Sequence, residues 1–333
     1  MNRHTIQELY QWQALPLNIK IRMTKRRIRD WVDEYGEDGV YVSFSGGKDS
    51  TVLLHIARDM YPNIKACFID TGLEYPEIRA FVKNFDNVDI IKPKMGFRKV
   101  VEKYGFPLIS KEVCENVYNA KEYLESVLCE IGIDSWTVAE VENSEKVANI
   151  LNERMRNKTG GNNQRLAIML GMLTKDQTIK ANMPKEERSR FSKQRWKFLL
   201  DAPFKISNRC CNVMKKEPAH RYRRETGRVP IIGTMASESK LRTQKWLQNG
   251  CNAFHLRSPI SQPMSFWTEQ DVLLYIQTHN IPLCSVYGDI VVDYKSMGVS
   301  EGQVSIDDYC DMEEFELDRP LLKTTGQDRT GCI

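Results

Sequence analysis

The chain has 333 residues, 41% of them hydrophobic, with 48 Lys and Arg against 44 Asp and Glu for a net charge of +4. That length can bury one large core or two modest ones, and the composition excludes a disordered chain. A charge this close to balance does not by itself imply nucleic acid, no run is long enough to span a membrane, and "MNRHTIQELYQWQALPLNIK" lacks the apolar centre of a signal peptide, so the cytoplasm is the expected setting.

Residues 5–35 are predicted to be helical, because Ile6, Leu9 and Tyr10, then Ile21, Ile28, Trp31 and Val32, recur at spacings that make an apolar stripe. Residues 40–44 are short, β-branched and aromatic like a buried strand, while residues 51–57 carry apolar side chains at helical spacing. Ser45-Gly46-Gly47-Lys48-Asp49-Ser50 is therefore a strand-to-helix turn. Such a turn aims unpaired backbone N–H groups and the positive end of a helix dipole into one small space, which favours phosphate. Gly46 and Gly47 let backbone approach, Lys48 supplies a mobile charge, and Ser45 and Ser50 add hydroxyl donors. An ordinary tight turn would need only the glycines. The spacing does not follow G-x-x-x-x-G-K-[ST], so P-loop kinases and ATPases are a poor match.

Further along, "IKACFIDTG" reads as a second buried strand ending at Asp70, followed by a helix over residues 75–84 and a third strand in "VDIIKPK". Asp70-Thr71-Gly72-Leu73-Glu74 follows the second strand. Asp70 and Glu74 can hold a metal or nucleotide hydroxyls, with Gly72 relieving a tight backbone and Thr71 between them; a helix cap is the simpler alternative. Strands alternating with helices predict an α/β fold, a parallel twisted sheet with helices on both faces that binds ligands beyond the strand carboxyl ends. A long interruption, residues 116–204, is polar and helical in character and is expected to be an inserted helical subdomain. It contains the flexible turn "KTGGNNQ" and "KEERSRFSKQRWK", residues 185–197, whose Phe191 and Trp196 stand among cations. That pattern suits contact with nucleic acid or a solvated amphipathic helix with its aromatics turned inward. The strand "VPIIGTM" then continues the sheet, with a ligand-side turn over residues 236–239. Thr268 and Asp271 make a near capping box before Val272, Leu273 and Ile276, which is helix packing, and His255 and His279 read as ordinary half-buried histidines. The expected organisation is a helical segment over 1–37, a nucleotide-binding α/β domain over 38–115 and 205–295, the insertion, and a tail over 296–333.

"SGGKDS" resembles the pyrophosphatase-type loop of the adenine nucleotide alpha hydrolase-like superfamily, and together with "DTGLEYPE" it resembles the phosphoadenosine phosphosulfate reductase family. The resemblance resumes at Gly233-Thr234-Met235-Ala236-Ser237-Glu238-Ser239 with Arg242, similar to the family's G-x-x-x-x-E-S-x-x-R segment, and continues through "SPISQPMSFWTEQDVLLYIQTHNIPLCSVYGD". It implies that Ser239 belongs to the nucleotide site. Arg242 offers a planar fork for an oxyanion, and Glu238 can orient it or accept a ribose hydroxyl. Lys111 adds a second cation by resemblance. Lys48 and Arg242 are the residues expected to serve catalysis.

Nine cysteines in a chain with no export signal read as thiols, metal ligands or catalytic groups. Adjacent Cys210 and Cys211 resemble the pair that holds a four-iron iron-sulfur cluster in cluster-bearing members of the family. The family's second pair is Cys-x-x-Cys, and here Cys332 stands next to last with three of four thiolates visible, which admits two readings: the sequence is truncated inside that motif, the favoured expectation, or the protein has no complete cluster site. Cys67 reads as core, and Cys114, Cys129, Cys251, Cys284 and Cys310 as free thiols.

The resemblance implies an enzyme that binds a sulfated adenine nucleotide, phosphoadenosine phosphosulfate or adenylyl sulfate, and reduces it to sulfite with a thiol donor protein. The family's attacking cysteine sits in a Glu-Cys-Gly-type segment, which this sequence does not contain. The alternative is an ATP pyrophosphatase that splits ATP between the α and β phosphates, with magnesium, and drives sulfur transfer to nucleic acid or a small molecule. A non-catalytic nucleotide-binding protein would need only the loop.

Overall fold

The computed structural model describes residues 3–133, 136–157, 162–293, 296 and 321–328. The chain divides into two units, residues 1–93 with 218–332 and residues 94–217, with Ile333 grouped with the second.

The first unit opens with helices α1 (Ile6–Gln13) and α2 (Leu17–Tyr35). Ile28, Trp31 and Val32 are buried as their spacing predicts, whereas Ile6 and Tyr10 are exposed and only Leu9 of that stripe enters the core. Strand β1 (Val40–Ser43) then leads into α3 (Lys48–Met60), β2 (Ala66–Ile69), α4 (Pro76–Val82) and β3 (Val88–Ile91). Side chains alternate across these strands, as a pleated backbone requires. Val40, Val42, Phe44, Ala66 and Phe68 face a core shared with Trp31 and Val32 of α2 and Val52 and Leu53 of α3. Tyr41 and Cys67 face the other way, against Tyr222.

The second unit contains α5 (Phe97–Tyr104), α6 (Lys111–Glu130), α7 (Val138–Glu142), α8 (Glu145–Arg156), α9 (Asn163–Leu170) and α10 (Arg209–Cys211), of which α6 to α9 build its own core around Val117, Leu124, Leu151, Leu166 and Leu170. Residues 185–197 do not form an amphipathic helix. Arg188 bridges to Thr174, and the hydroxyls of Ser189 and Ser192 accept from the N–H groups of Phe191 and Gln194, so local side-chain bonds displace the helical ladder. Phe191 stays 49% exposed with the Arg190 guanidinium 4.9 Å from its ring centre, while Trp196 packs against the core.

The chain re-enters the first unit through α11 (Glu217–Thr226) and adds β4 (Val229–Ile232), α12 (Lys240–Asn249), β5 (Asn252–Ala253), β6 (Ile260–Ser261), α13 (Glu269–Thr278), β7 (Ile290–Val292) and β8 (Leu322–Thr324). Tyr222 of α11 covers the second sheet face, its ring 4.9 Å from Tyr41 and its hydroxyl donating to Asp89 at 2.7 Å. The six strands run in the order β3-β2-β1-β4-β6-β5, parallel except for β5. β1 therefore lies between β2, which follows it, and β4, which arrives after the excursion through the second unit. That reversal of strand order makes a switch point at the carboxyl ends of β1 and β4, the usual ligand position in an open α/β sheet.

Candidate functional site

Both loops at this switch point carry glycines that the geometry demands. Gly46 has φ +72°, and a Cβ there would lie 2.9 Å from a methyl of Ile78 and 2.9 Å from one of Val82, so α4 rests directly on the turn. A Cβ on Gly233, just past β4, would lie 3.0 Å from the Asp49 carbonyl oxygen, so the strand end crosses the first turn of α3 at backbone distance. Gly47 is the N-cap of α3 in an extended conformation that any residue adopts. The turn is braced internally. Ser45 and Ser50 hydroxyls lie 3.0 Å apart, Ser50 donates to the Gly47 carbonyl at 2.9 Å, and Thr51 does the same at 2.9 Å.

Lys48 is 4% exposed at its side chain. Its Nζ donates to Glu269 Oε1 at 2.9 Å and to the Asp328 carbonyl at 2.7 Å, and lies 4.0 Å from Asp49 Oδ1 and 5.8 Å from the Tyr287 ring centre. Burial pushes this ammonium down, but Asp49, Glu269 and Tyr287 together outweigh it and leave the pKa above its ordinary value. Lys48 is thus a charged, anchored cation at the helix mouth. Its backbone N–H donates to the buried Tyr287 hydroxyl at 3.2 Å.

The second loop is held by its own side chains. Arg79 of α4 donates to Asp70 Oδ2 at 2.9 Å, the Gly72 N–H donates to Asp70 Oδ1 at 3.1 Å, and Glu74 accepts from the Thr71 N–H at 3.0 Å and its hydroxyl at 2.7 Å. Gly72 has φ +79° with open space around it. After β4, Glu238 accepts from the Met235 N–H at 3.0 Å and pairs with Arg242, while Ser239 caps α12. The half-exposed guanidinium of Arg242 is presented on a fixed carboxylate, the arrangement that gives an oxyanion a planar fork.

The structure therefore gathers Ser45, Gly46, Gly47, Lys48, Asp49 and Ser50 with Gly233 around the start of α3. Lys111 opens α6 in the second unit with an exposed side chain. Cys210 and Cys211 are half-buried in α10, ahead of a π-helical turn over Asn212–Lys216, and Cys332 and Cys310 lie outside the described residues. Among the described residues, no three His, Cys, Asp or Glu side chains are grouped as a metal site, and no helix is long and apolar enough to cross a membrane. Sequence reasoning missed Glu269, Tyr287, Asp328 and Arg79. Tyr287 stood inside "LCSVYGD", and Glu269 directly follows the Thr268 cap, where a first-turn acid reads simply as a helix-dipole partner.

A family model for the phosphoadenosine phosphosulfate reductase domain matches residues 39–127 and 154–300. An uncharacterized protein of Methanocaldococcus jannaschii is 36% identical over 94 residues, 26% of this chain and 23% of that protein, so the match spans under a quarter of the relative's length. A crystal structure of phosphoadenylyl-sulfate reductase from Candida auris, a phosphate complex, is similar over 85% of this chain and 90% of that one, at 12% identity and a TM-score of 0.39.

Proposed function

Because the chain belongs to the phosphoadenosine phosphosulfate reductase family, we propose that its first unit binds an adenine nucleotide with the phosphates at the start of α3 and reduces a sulfated adenine nucleotide to sulfite. The observation that carries this reading is the turn itself. Gly46 lets the Ile78 and Val82 side chains of α4 pack onto the turn and Gly233 brings the end of β4 to backbone distance of α3, around a buried, charged lysine at a helix N-terminus. Arg242, braced by Glu238, is the second oxyanion donor, and Asp70 and Glu74 are the candidates for nucleotide hydroxyls or for magnesium.

The chemistry balances with two thiols. A thiolate attacks the sulfur, the bond from sulfur to the phosphate oxygen breaks, and the adenosine phosphate leaves with the electron pair. A second thiol, supplied by a donor protein of the cytoplasm, then attacks the resulting S-sulfocysteine and releases sulfite as the disulfide forms. Lys48 and Arg242 stabilise the charge that gathers on the leaving phosphate. Cys332, which lies outside the described residues, is the third candidate ligand of a four-iron cluster with Cys210 and Cys211. The described residues supply two of the four thiolates that such a cluster needs, Cys210 and Cys211.

The second reading, ATP cleavage for sulfur transfer to nucleic acid, is favoured by one observation, the exposed Phe191 ring beneath Arg190. Products separate the two. Given phosphoadenosine phosphosulfate or adenylyl sulfate with a dithiol, the protein should release sulfite and the adenosine phosphate. Pyrophosphate and AMP from ATP, with no sulfite from either sulfated nucleotide, would overturn the first reading.

A further inference from the structure

We infer that Glu269 is the counter-charge that sets how readily this cradle takes an anion, a role that rests on Lys48 being the phosphate lysine. Four ion pairs stand among the described residues of the loops that carry the candidate residues, and the two at Lys48, with Glu269 at 2.9 Å and with Asp49 at the longer 4.0 Å, are built in reverse. In Arg79–Asp70 and Arg242–Glu238 the acid is the shielded partner, 8% and 11% exposed at its side chain, and the arginine is the half-exposed one. In Lys48–Glu269 the cation is buried and the acid is 54% exposed. The acid is therefore the partner that can leave without moving the core.

Glu269 is also delivered to its place rather than left there by a loose loop. The Thr268 side chain and Asp271 form the capping box that starts α13, and Asp271 is pinned in turn by buried Lys20 at 2.6 Å. Glu269 is the first residue of that helix, so its backbone is anchored while its carboxylate is free to turn toward solvent.

Of the three donors on Lys48 Nζ, one meets Glu269 and another the Asp328 carbonyl. An incoming oxyanion takes the place of the Glu269 carboxylate while the carbonyl contact persists. Net affinity is then the difference between two ion pairs, and the exchange favours a multiply charged phosphate or pyrophosphate oxygen over a monovalent carboxylate. Glu269 is thus a specificity-determining residue for polyvalent oxyanions.

The test is calorimetric titration of the full chain with inorganic pyrophosphate, using the unmodified protein, Glu269→Gln, Lys48→Ala and the double variant, each with unaltered circular dichroism. Glu269→Gln should bind pyrophosphate about fivefold more tightly, the upper range for an ion pair with one exposed partner, and the gain should shrink as salt is raised. A gain of affinity is not a result that damage to the fold produces. In the Lys48→Ala background the gain should vanish, because it is made at Nζ. A gain that persists there is plain repulsion through solvent and overturns the inference, as does unchanged or weaker binding by Glu269→Gln, or no binding by either protein. If Lys48→Ala itself leaves the affinity unchanged, the phosphate reading of Lys48 falls, and the inference with it.

Discussion

Replacing Gly46 with alanine asks two separate things of the turn before α3, and the structure gives a way to measure each. The first is conformational. At φ +72° an L-residue sits in the left-handed region, at a cost of about 1–2 kcal/mol. The second is steric. The new methyl would lie 2.9 Å from both the Ile78 and Val82 methyls, and an over-packed core typically loses about 1–3 kcal/mol. Together these come to about 2–5 kcal/mol, a large part of an ordinary domain's stability. Gly72 supplies the control, since it has φ +79° with nothing within 4 Å of its would-be Cβ. Gly72→Ala should cost only the conformational share. Urea unfolding followed by circular dichroism should show Gly46→Ala less stable than Gly72→Ala by the steric share. Pyrophosphate affinity should fall in Gly46→Ala as α4 is pushed off the turn. Equal losses in the two variants would refute the claim that α4 rests on the turn and requires glycine there.

Thiol reactivity and acid stability offer further checks. Burial, with Asp89 adding to it, pushes the Cys67 thiol up to about 12, so at pH 8 it stays protonated. Iodoacetamide should label exposed Cys129 in the native protein and spare Cys67, as read by peptide mass mapping, and equal labelling of the two would contradict the packing described. His55 is held below its ordinary value of 6.5 by burial first and by His279 second, against Asp59, with Lys25 adding to the lowering. Its neutral form is favoured in the fold, so its contribution is fully present above pH 6.5 and is lost as pH falls through the lowered folded value. His55→Gln should therefore flatten the fall in stability between pH 7 and pH 5, measured by thermal unfolding across that range, and an unchanged slope would assign the acid sensitivity elsewhere.

The strand-to-helix turn over residues 45–50 was legible because local rules agree there. A β-branched strand, a glycine pair and a helical apolar stripe occupy adjacent residues, and each signal places the others. The parallel order of β1, β2 and β3 followed from the same alternation of strand and helix. What the sequence hides is the far side of the site. Tyr287 and Asp328, which meet Lys48, lie 239 and 280 residues away from it along the chain, and no periodicity links them. Periodicity also does not say how far a neighbouring element reaches, which is why Leu9 is buried while Ile6 and Tyr10 on the same stripe are not. In residues 185–197 composition suggested a helix, but two serines and a bridge to Thr174 supplied closer partners for the backbone.

The reversal of strand order beside β1 has a bearing on how the protein is made. β1's partner β2 follows it closely in the chain, but its other edge has no partner until β4 is made, and the whole second unit lies between the two in sequence. At about 5–20 residues per second, that delay is on the order of ten seconds. Throughout it the β4-facing edge of β1 lacks its backbone partner, one residue from the future glycine turn. An edge of that kind is a template for any other extended chain nearby. Until β4 docks at Val229–Ile232, the strand that leads into the glycine turn has one edge open to such pairing.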